Sequence, residues 1–169
     1  MLLDYVSSQN NKSGLHISTL LFFALLIFST QNTFASGGGG GGGGFETGKA
    51  NYFDIDTPFV VNITDGPRKL RFLQVAVNLM TKDSNVVDAV NKHIAPIKHE
   101  LVMLFSQQKF GTVTSRNARE QLRKDALTRV QLILEKYAGI TPDKTVKGDD
   151  GEQHPSSVQD LFFTNFIIQ

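Results

Sequence analysis

No cysteine and no tryptophan occur among the 169 residues. The first absence removes disulfides, thiol nucleophiles and thiolate metal sites, so whatever core the chain has must hold without staples. The second leaves the aromatic content to 13 phenylalanines and 3 tyrosines, a set that suits a core or an interface rather than sugar-stacking platforms. A surplus of charge is missing too. The formal charge is +1, and Asp4 and Lys12 are the only charged residues before residue 36, so the remainder carries the same +1. Nucleic-acid binders show a basic excess or stripe; this chain has neither, and nucleic acid is excluded as a partner. A long apolar run is also lacking. The longest, Leu20–Phe28, has nine residues, whereas a membrane-spanning helix needs about 20.

That short run organises the N-terminal part. Thr33-Phe34-Ala35 follows it and fits a small-x-small cleavage site loosely. Residues 1–35 therefore read as a secretory signal, or as an uncleaved membrane anchor drawn from Leu15–Ala35, with a buried core helix as a third reading. The first two agree that everything after Ser36 is exported. Residues 36–51 form a glycine-rich linker. Its eight glycines, Gly37–Gly44, span roughly 16 Å r.m.s. and at most about 28 Å. Residues 52–169 then make one ordinary domain.

From Tyr52 the apolar period becomes two. Phe53, Ile55, Phe59, Val61 and Ile63 share one face and Asp54, Asp56 and Asn62 the other, which predicts one half-buried strand. Thr64-Asp65-Gly66-Pro67 signals a turn, and Leu70–Met80 a second strand with Leu73, Val75, Val77 and Leu79 inward. Keeping both apolar sets on one face demands an odd loop. A three-residue loop, 65–67, pairs Phe59 with Leu73 and Ile55 with Val77, with Gly66 near the left-handed region.

Helical spacing follows. Ser84 is a candidate cap with Asp88 in the first turn; the stripe Val86/Val87, Val90, Ile94, Ile97, Leu101 and Leu104/Phe105 is interrupted at Pro96, which predicts a kink or restart. Thr114 or Ser115 caps a second helix ending near Tyr137 before Gly139, with the stripe Ala118, Leu122, Ala126, Val130, Ile133 and Tyr137. Its polar face mixes signs, Glu120–Lys124 and Asp125–Arg129 being i,i+4 pairs, and reads as solvated rather than as a lipid or RNA surface. Thr141–Ser157 reads as a surface loop. The chain closes on a strand, Val158–Gln169, apolar on both faces: Phe162, Phe166 and Ile168 on one, Leu161, Phe163 and Ile167 on the other. Such a strand is either central and covered internally or takes part in an intermolecular contact, because a bare one invites aggregation. Leu161, Phe163 and Ile167 are the candidate oligomer or partner contacts. The fold class is α+β: an antiparallel hairpin plus a C-terminal strand against two helices.

In order along the chain, Pro58-Phe59-Val60-Val61-Asn62, Leu70–Leu79, Pro96-Ile97, Ala118-Arg119-Glu120-Gln121-Leu122-Arg123 and the ending Phe163-Thr164-Asn165-Phe166-Ile167-Ile168-Gln169 resemble the flagellar basal-body-associated FliL family. The resemblance implies a periplasmic domain similar to the ring-forming domain of stomatins and prohibitins. It further implies a non-enzymatic homo-oligomer at the inner membrane near the basal body, touching stator proteins of the MotA/MotB type and supporting rotation. Three departures stand out: the short apolar run in place of an evident transmembrane helix, Ala118 where glycine is frequent, and a long 141–157 segment. The alternative is a stomatin-like envelope scaffold with no motor role.

Chemistry is otherwise thin. His93 and His99, six apart, fall on different helix faces; Asp149-Asp150-Gly151 lacks the alternating acids of a calcium loop and reads as a turn; Asn62-Ile63-Thr64 is a glycosylation sequon inside a strand. No catalytic, cofactor-binding or metal-binding residue is assigned, and a small hydrolase has no residue set behind it.

Overall fold

The computed structural model describes residues 44–169 apart from Asp56. The Leu20–Phe28 run, the cleavage site and Gly37–Gly43 lie outside the described residues. Among those described, no helix is long and apolar enough to cross a membrane.

Strict alternation makes β1 (Asn51–Asp54), β2 (Phe59–Thr64) and β3 (Leu70–Thr81) half-buried strands, with Phe53, Phe59, Val61, Ile63, Leu73, Val75, Val77 and Leu79 inward. The single first strand read from the sequence is thus two. Phe53 faces Leu79 and Phe59 faces Val75, so six steps on one side oppose four on the other. The two extra residues fall between β1 and Pro58, which cannot donate to a ladder. Ile55 keeps its expected neighbour, its N–H donating to the Val77 carbonyl at 2.9 Å, whereas Phe59 moves from Leu73 to Val75. An insertion of two preserves parity, so both halves present their apolar side chains to the same face. The loop is odd, as parity requires, but five residues long: Thr64 pairs with Leu70. Asp65 closes it, donating its N–H to the Lys69 carbonyl (2.7 Å) and holding Arg71 (3.0 Å) and Lys69 (3.3 Å) on its carboxylate, while Gly66 takes φ 84°.

Four helices of the described residues lie against this face. α1 (Ser84–Lys92) is capped by Asp83, not Ser84: the Asp83 carboxylate accepts from Asn85 N–H, and no acid sits in the first turn. α2 (Ile94–Ser106) restarts after His93 with Pro96 in its first turn, where a missing N–H costs nothing. A short α3 (Phe110–Val113) leads to α4 (Arg116–Ala138), capped by Ser115 and ended by Gly139 at φ 66°. Leu122, Ala126, Val130, Ile133 and Leu134 of α4 are buried, and Tyr137 is exposed. The expected i,i+4 pairs give way to other partners: Glu120 binds Arg123 and Arg129 reaches Glu100 of α2.

The segment 141–157 contains a small second sheet, β4 (Thr145–Lys147) with β5 (Gln153–Pro155), where the sequence suggested loop alone. β6 (Val158–Ile168) then runs antiparallel to β3. Leu73, Val75, Leu79 and Thr81 each have partners on both sides, so β3 is the central strand, β1 and β2 follow one edge and β6 the other. The expectation of a central closing strand is corrected: among the described residues β6 is the outer edge. Its two-sided apolar character is corrected as well. Val77 faces Phe163 and Ala76 faces Asn165, leaving Thr164 as an extra residue that reverses the alternation. Leu161 and Phe163 point inward before this bulge, Phe166 and Ile168 after it.

Candidate interaction surfaces

Among the described residues, helices cover one face of the sheet only. On the open face Val60 and Ile167 flank Gln74 in one row across three strands, with Phe72 next to them. Val60 is 63% exposed, Phe72 58% and Ile167 40%, and Leu70 is exposed beside them. At the far end Tyr52 and Phe162 stand with ring centroids 6.1 Å apart. An Asn78 amide donating to Asp54 (3.0 Å) lies between the two apolar groups. Isolated apolar side chains on a surface are ordinary; a cluster on one sheet face marks a contact surface.

Of the three residues proposed from sequence as contacts, only Ile167 reaches this face. Leu161 is fully buried beneath the helices, and Phe163 is half-buried, its ring 5.9 Å from that of Phe105. The bulge at Thr164 separates them from Ile167. Val60, Leu70, Phe72 and Phe162 were missed, although Leu70 and Phe72 occupy the outward parity of β3 and were legible as apolar residues on its polar side.

The outer edge of β6 is treated differently along its length. Near its start, Gln131 of α4 donates to the Val158 carbonyl (2.8 Å), and Arg123 donates to the Leu161 carbonyl (2.9 Å) and to Asp160. Asp160 in turn accepts from Leu161 N–H at 2.8 Å. Arg123 also grips Glu120 through two bonds, 2.8 and 2.7 Å. The guanidinium beside it holds the Glu120 carboxyl below its ordinary range, and Glu120 first and Asp160 next raise Arg123. Beyond Leu161 the edge pairs with no strand among the described residues. There Arg116, Asn117, Arg119, Glu120 and Arg123 of α4 face Phe162 and Phe163 across an open groove.

One further cluster joins residues the sequence left apart. His154, buried, sets Nε2 2.8 and 3.0 Å from the two Asp150 carboxylate oxygens, with Glu152 close by. Asp150 also accepts from Glu152 N–H at 3.0 Å, and this backbone bond chiefly lowers its pKa, with His154 contributing. The arrangement closes the β4–β5 turn. Their i,i+4 spacing across the turn was the available signal. His93 stacks on Tyr137 at 5.9 Å, and His99 is an exposed residue of α2.

The segment before β1 is fastened beside this turn. Asp149 N–H donates to the Thr47 carbonyl (3.0 Å), Gly48 N–H to the Lys82 carbonyl (2.8 Å), and Thr47 Oγ1 bonds Ser84 Oγ (2.9 Å).

The family model described as "Flagellar basal body-associated protein FliL" matches residues 52–169. The chain is also similar to the Flagellar protein FliL of Aquifex aeolicus (strain VF5), 23% identical over 117 residues, 69% of this chain. It spans 60% of the length of that relative.

Proposed function

The chain belongs to the family of flagellar basal body-associated protein FliL, and from that premise we propose that it is a non-enzymatic accessory of the flagellar motor. In this reading residues 52–169 lie in the periplasm at the inner membrane, held there or delivered there by residues 1–35 and reaching out on the glycine tract of the linker. The domain assembles with copies of itself beside the stator and supports rotation through surface contact. The observation that carries this is the open sheet face: Val60, Phe72 and Ile167 stand exposed together with nothing of the described chain over them. Sheets bury such faces against a second layer, and a stable interface takes about 800 Å² from each partner.

The test is a chromosomal exchange of Phe72→Asp or Ile167→Asp. Both positions point away from the core, so the folded domain should persist with an unchanged far-UV spectrum. Self-association by light scattering and spreading in soft agar should both fall. Wild-type size with normal spreading from both variants would overturn the assignment of this face. Loss of assembly with normal spreading would favour the envelope scaffold without a motor role.

A further inference from the structure

The outer edge of β6 ends its protection abruptly. Up to Leu161 the edge is held at the Val158 carbonyl by Gln131 and at the Leu161 carbonyl and N–H by Arg123 and Asp160. Gln169 and Phe72 exchange both backbone hydrogen bonds at 2.9 Å, so Gln169 faces β3 and, by alternation, Ile168 and Phe166 turn their N–H and C=O groups outward. No strand of the described chain meets them. An open edge of this kind is a template for an added strand.

The charge beside it is net positive, although Glu120 also lines the groove. Arg123 is neutralised by Glu120 and Asp160. Arg119 donates to the carbonyls of Val113 and Thr114 (both 3.0 Å) and lies 5.4 Å over the Phe166 ring, contacts that leave its charge uncompensated. The Arg116 side chain makes no hydrogen bond or ion pair among the described residues, and it opens α4, where the helix dipole disfavours a cation and no first-turn acid offsets it. The three arginines outnumber the two carboxylates by one, so a net positive groove, with Arg116 and Arg119 on its unpaired side, faces an unpaired backbone edge in a chain whose net charge is only +1.

We infer that this groove takes an extended, acidic peptide segment of a partner protein, which adds as a strand to the Phe163–Ile168 edge of β6 and sets a carboxylate against Arg116 and Arg119. Backbone bonding supplies the docking and the arginines select the sign of charge. The inference stands on the edge and the groove and does not require the motor reading.

The full chain, purified in mild detergent, is titrated with a fluorescein-labelled threonine–valine peptide bearing aspartates at alternate positions, and with its asparagine counterpart. The acidic peptide should raise anisotropy saturably, bind about tenfold more tightly than the neutral one, and weaken as salt screens the pairing. Arg116→Glu should weaken it about tenfold by reversing the local charge, with no loss of folding because an acid suits that helix position. Lys147→Glu on the distant β4 should leave it unchanged. Amide exchange at Phe166 and Ile168 should slow on binding. Absence of binding, equal affinity for the neutral peptide, indifference to Arg116→Glu, or protection on Val60 and Phe72 instead would each overturn the assignment. Loss of self-association in Arg116→Glu without peptide binding would assign the edge to a second copy.

Discussion

Phe163 and Phe166 lie on the same side of β6 with ring centroids 5.5 Å apart, although they are three positions apart in a structure whose side chains alternate every second residue. The extra residue between them is Thr164, opposite no residue of β3. Through it the strand keeps Leu161, Phe163, Phe166 and Ile168 against the helices and gives Phe162, Asn165 and Ile167 to the open face. Phe163 then continues a chain of edge-on rings inward, to Phe105 at 5.9 Å and from Phe105 to Phe59 at 5.4 Å.

Deleting Thr164 should therefore be far worse than replacing it. Without the bulge Phe166 and Ile168 turn outward, or the start of the strand does, and each apolar side chain lost from burial costs about 1.5–3 kcal/mol. The deletion should leave insoluble or molten protein. Thr164→Ala, at an exposed position, should unfold in urea within about 0.5 kcal/mol of wild type. A soluble deletion variant with native stability would show that the bulge does not set the facing of the strand.

The seal on the first half of the β6 edge gives a second expectation. Arg123→Ala strands the Leu161 carbonyl and Asp160 together, and should cost about 1–2 kcal/mol, since hydrogen bonds to charged groups are worth more than neutral ones but this site is part-exposed. Amide exchange at Leu161 should accelerate while that of Leu79, on the central strand, keeps pace only with the global loss. Phe105→Ala, by contrast, removes a fully buried ring from the core and should cost about 3–5 kcal/mol in chemical denaturation.

How far the fold could be read depended on parity. Period-two alternation put Phe53, Phe59, Val61, Leu73, Val75, Val77 and Leu79 inward correctly, because burial of one face is a strong constraint. What alternation cannot fix is an insertion. Two residues before Pro58 conserve parity and shifted Phe59 by one pair unnoticed; one residue at Thr164 reverses parity and made β6 look apolar on both faces. Caps at Ser115 and Gly139 were legible because each is a local bond between near neighbours. Asp83 was not, since its carboxylate also takes the Ser156 hydroxyl at 2.5 Å, a partner distant in sequence. For the same reason the Arg123–Asp160 contact was out of reach, since it needed a sheet edge not yet placed, whereas the Asp150–His154 pair was legible only as an i,i+4 spacing across a turn. The open face was half legible, through Ile167.

Acid should loosen the domain in a defined direction. The Asp65, Glu120 and Asp150 carboxyls are all held below their ordinary values, by Arg71 first at Asp65, by Arg123 first at Glu120, and by the Glu152 N–H first at Asp150. A carboxyl with a depressed folded pKa contributes stability fully above its unfolded value, about 4, and loses it as pH falls through the lower folded value. Thermal midpoints should thus hold between about pH 5 and 7 and fall below about pH 4. Asp150→Asn should flatten part of that fall. A midpoint that rises on acidification would contradict the sign.

Two glycines separate space from conformation. Gly148 has an ordinary φ, yet a Cβ there would lie 2.6 Å from Asp150 Oδ1, 2.8 Å from His154 Cδ2 and 2.9 Å from the Gly48 Cα. The first two atoms belong to the turn-closing pair and the third to backbone tied down through Thr47 and Lys82, so none yields cheaply. Gly148→Ala should cost about 1–3 kcal/mol, as overpacking does. It should also speed exchange at Asp149 and Gly48, whose N–H groups hold the segment before β1. Gly111, inside α3, has nothing within 4 Å of its Cβ position and no positive φ. There alanine stiffens the unfolded chain without straining the folded one, and should add about 0.4–1 kcal/mol. Paired urea melts of the two variants decide it: shifts of opposite sign support the close approach of Gly148 to the Asp150–His154 pair, and a neutral Gly148→Ala would mean that the turn gives way freely.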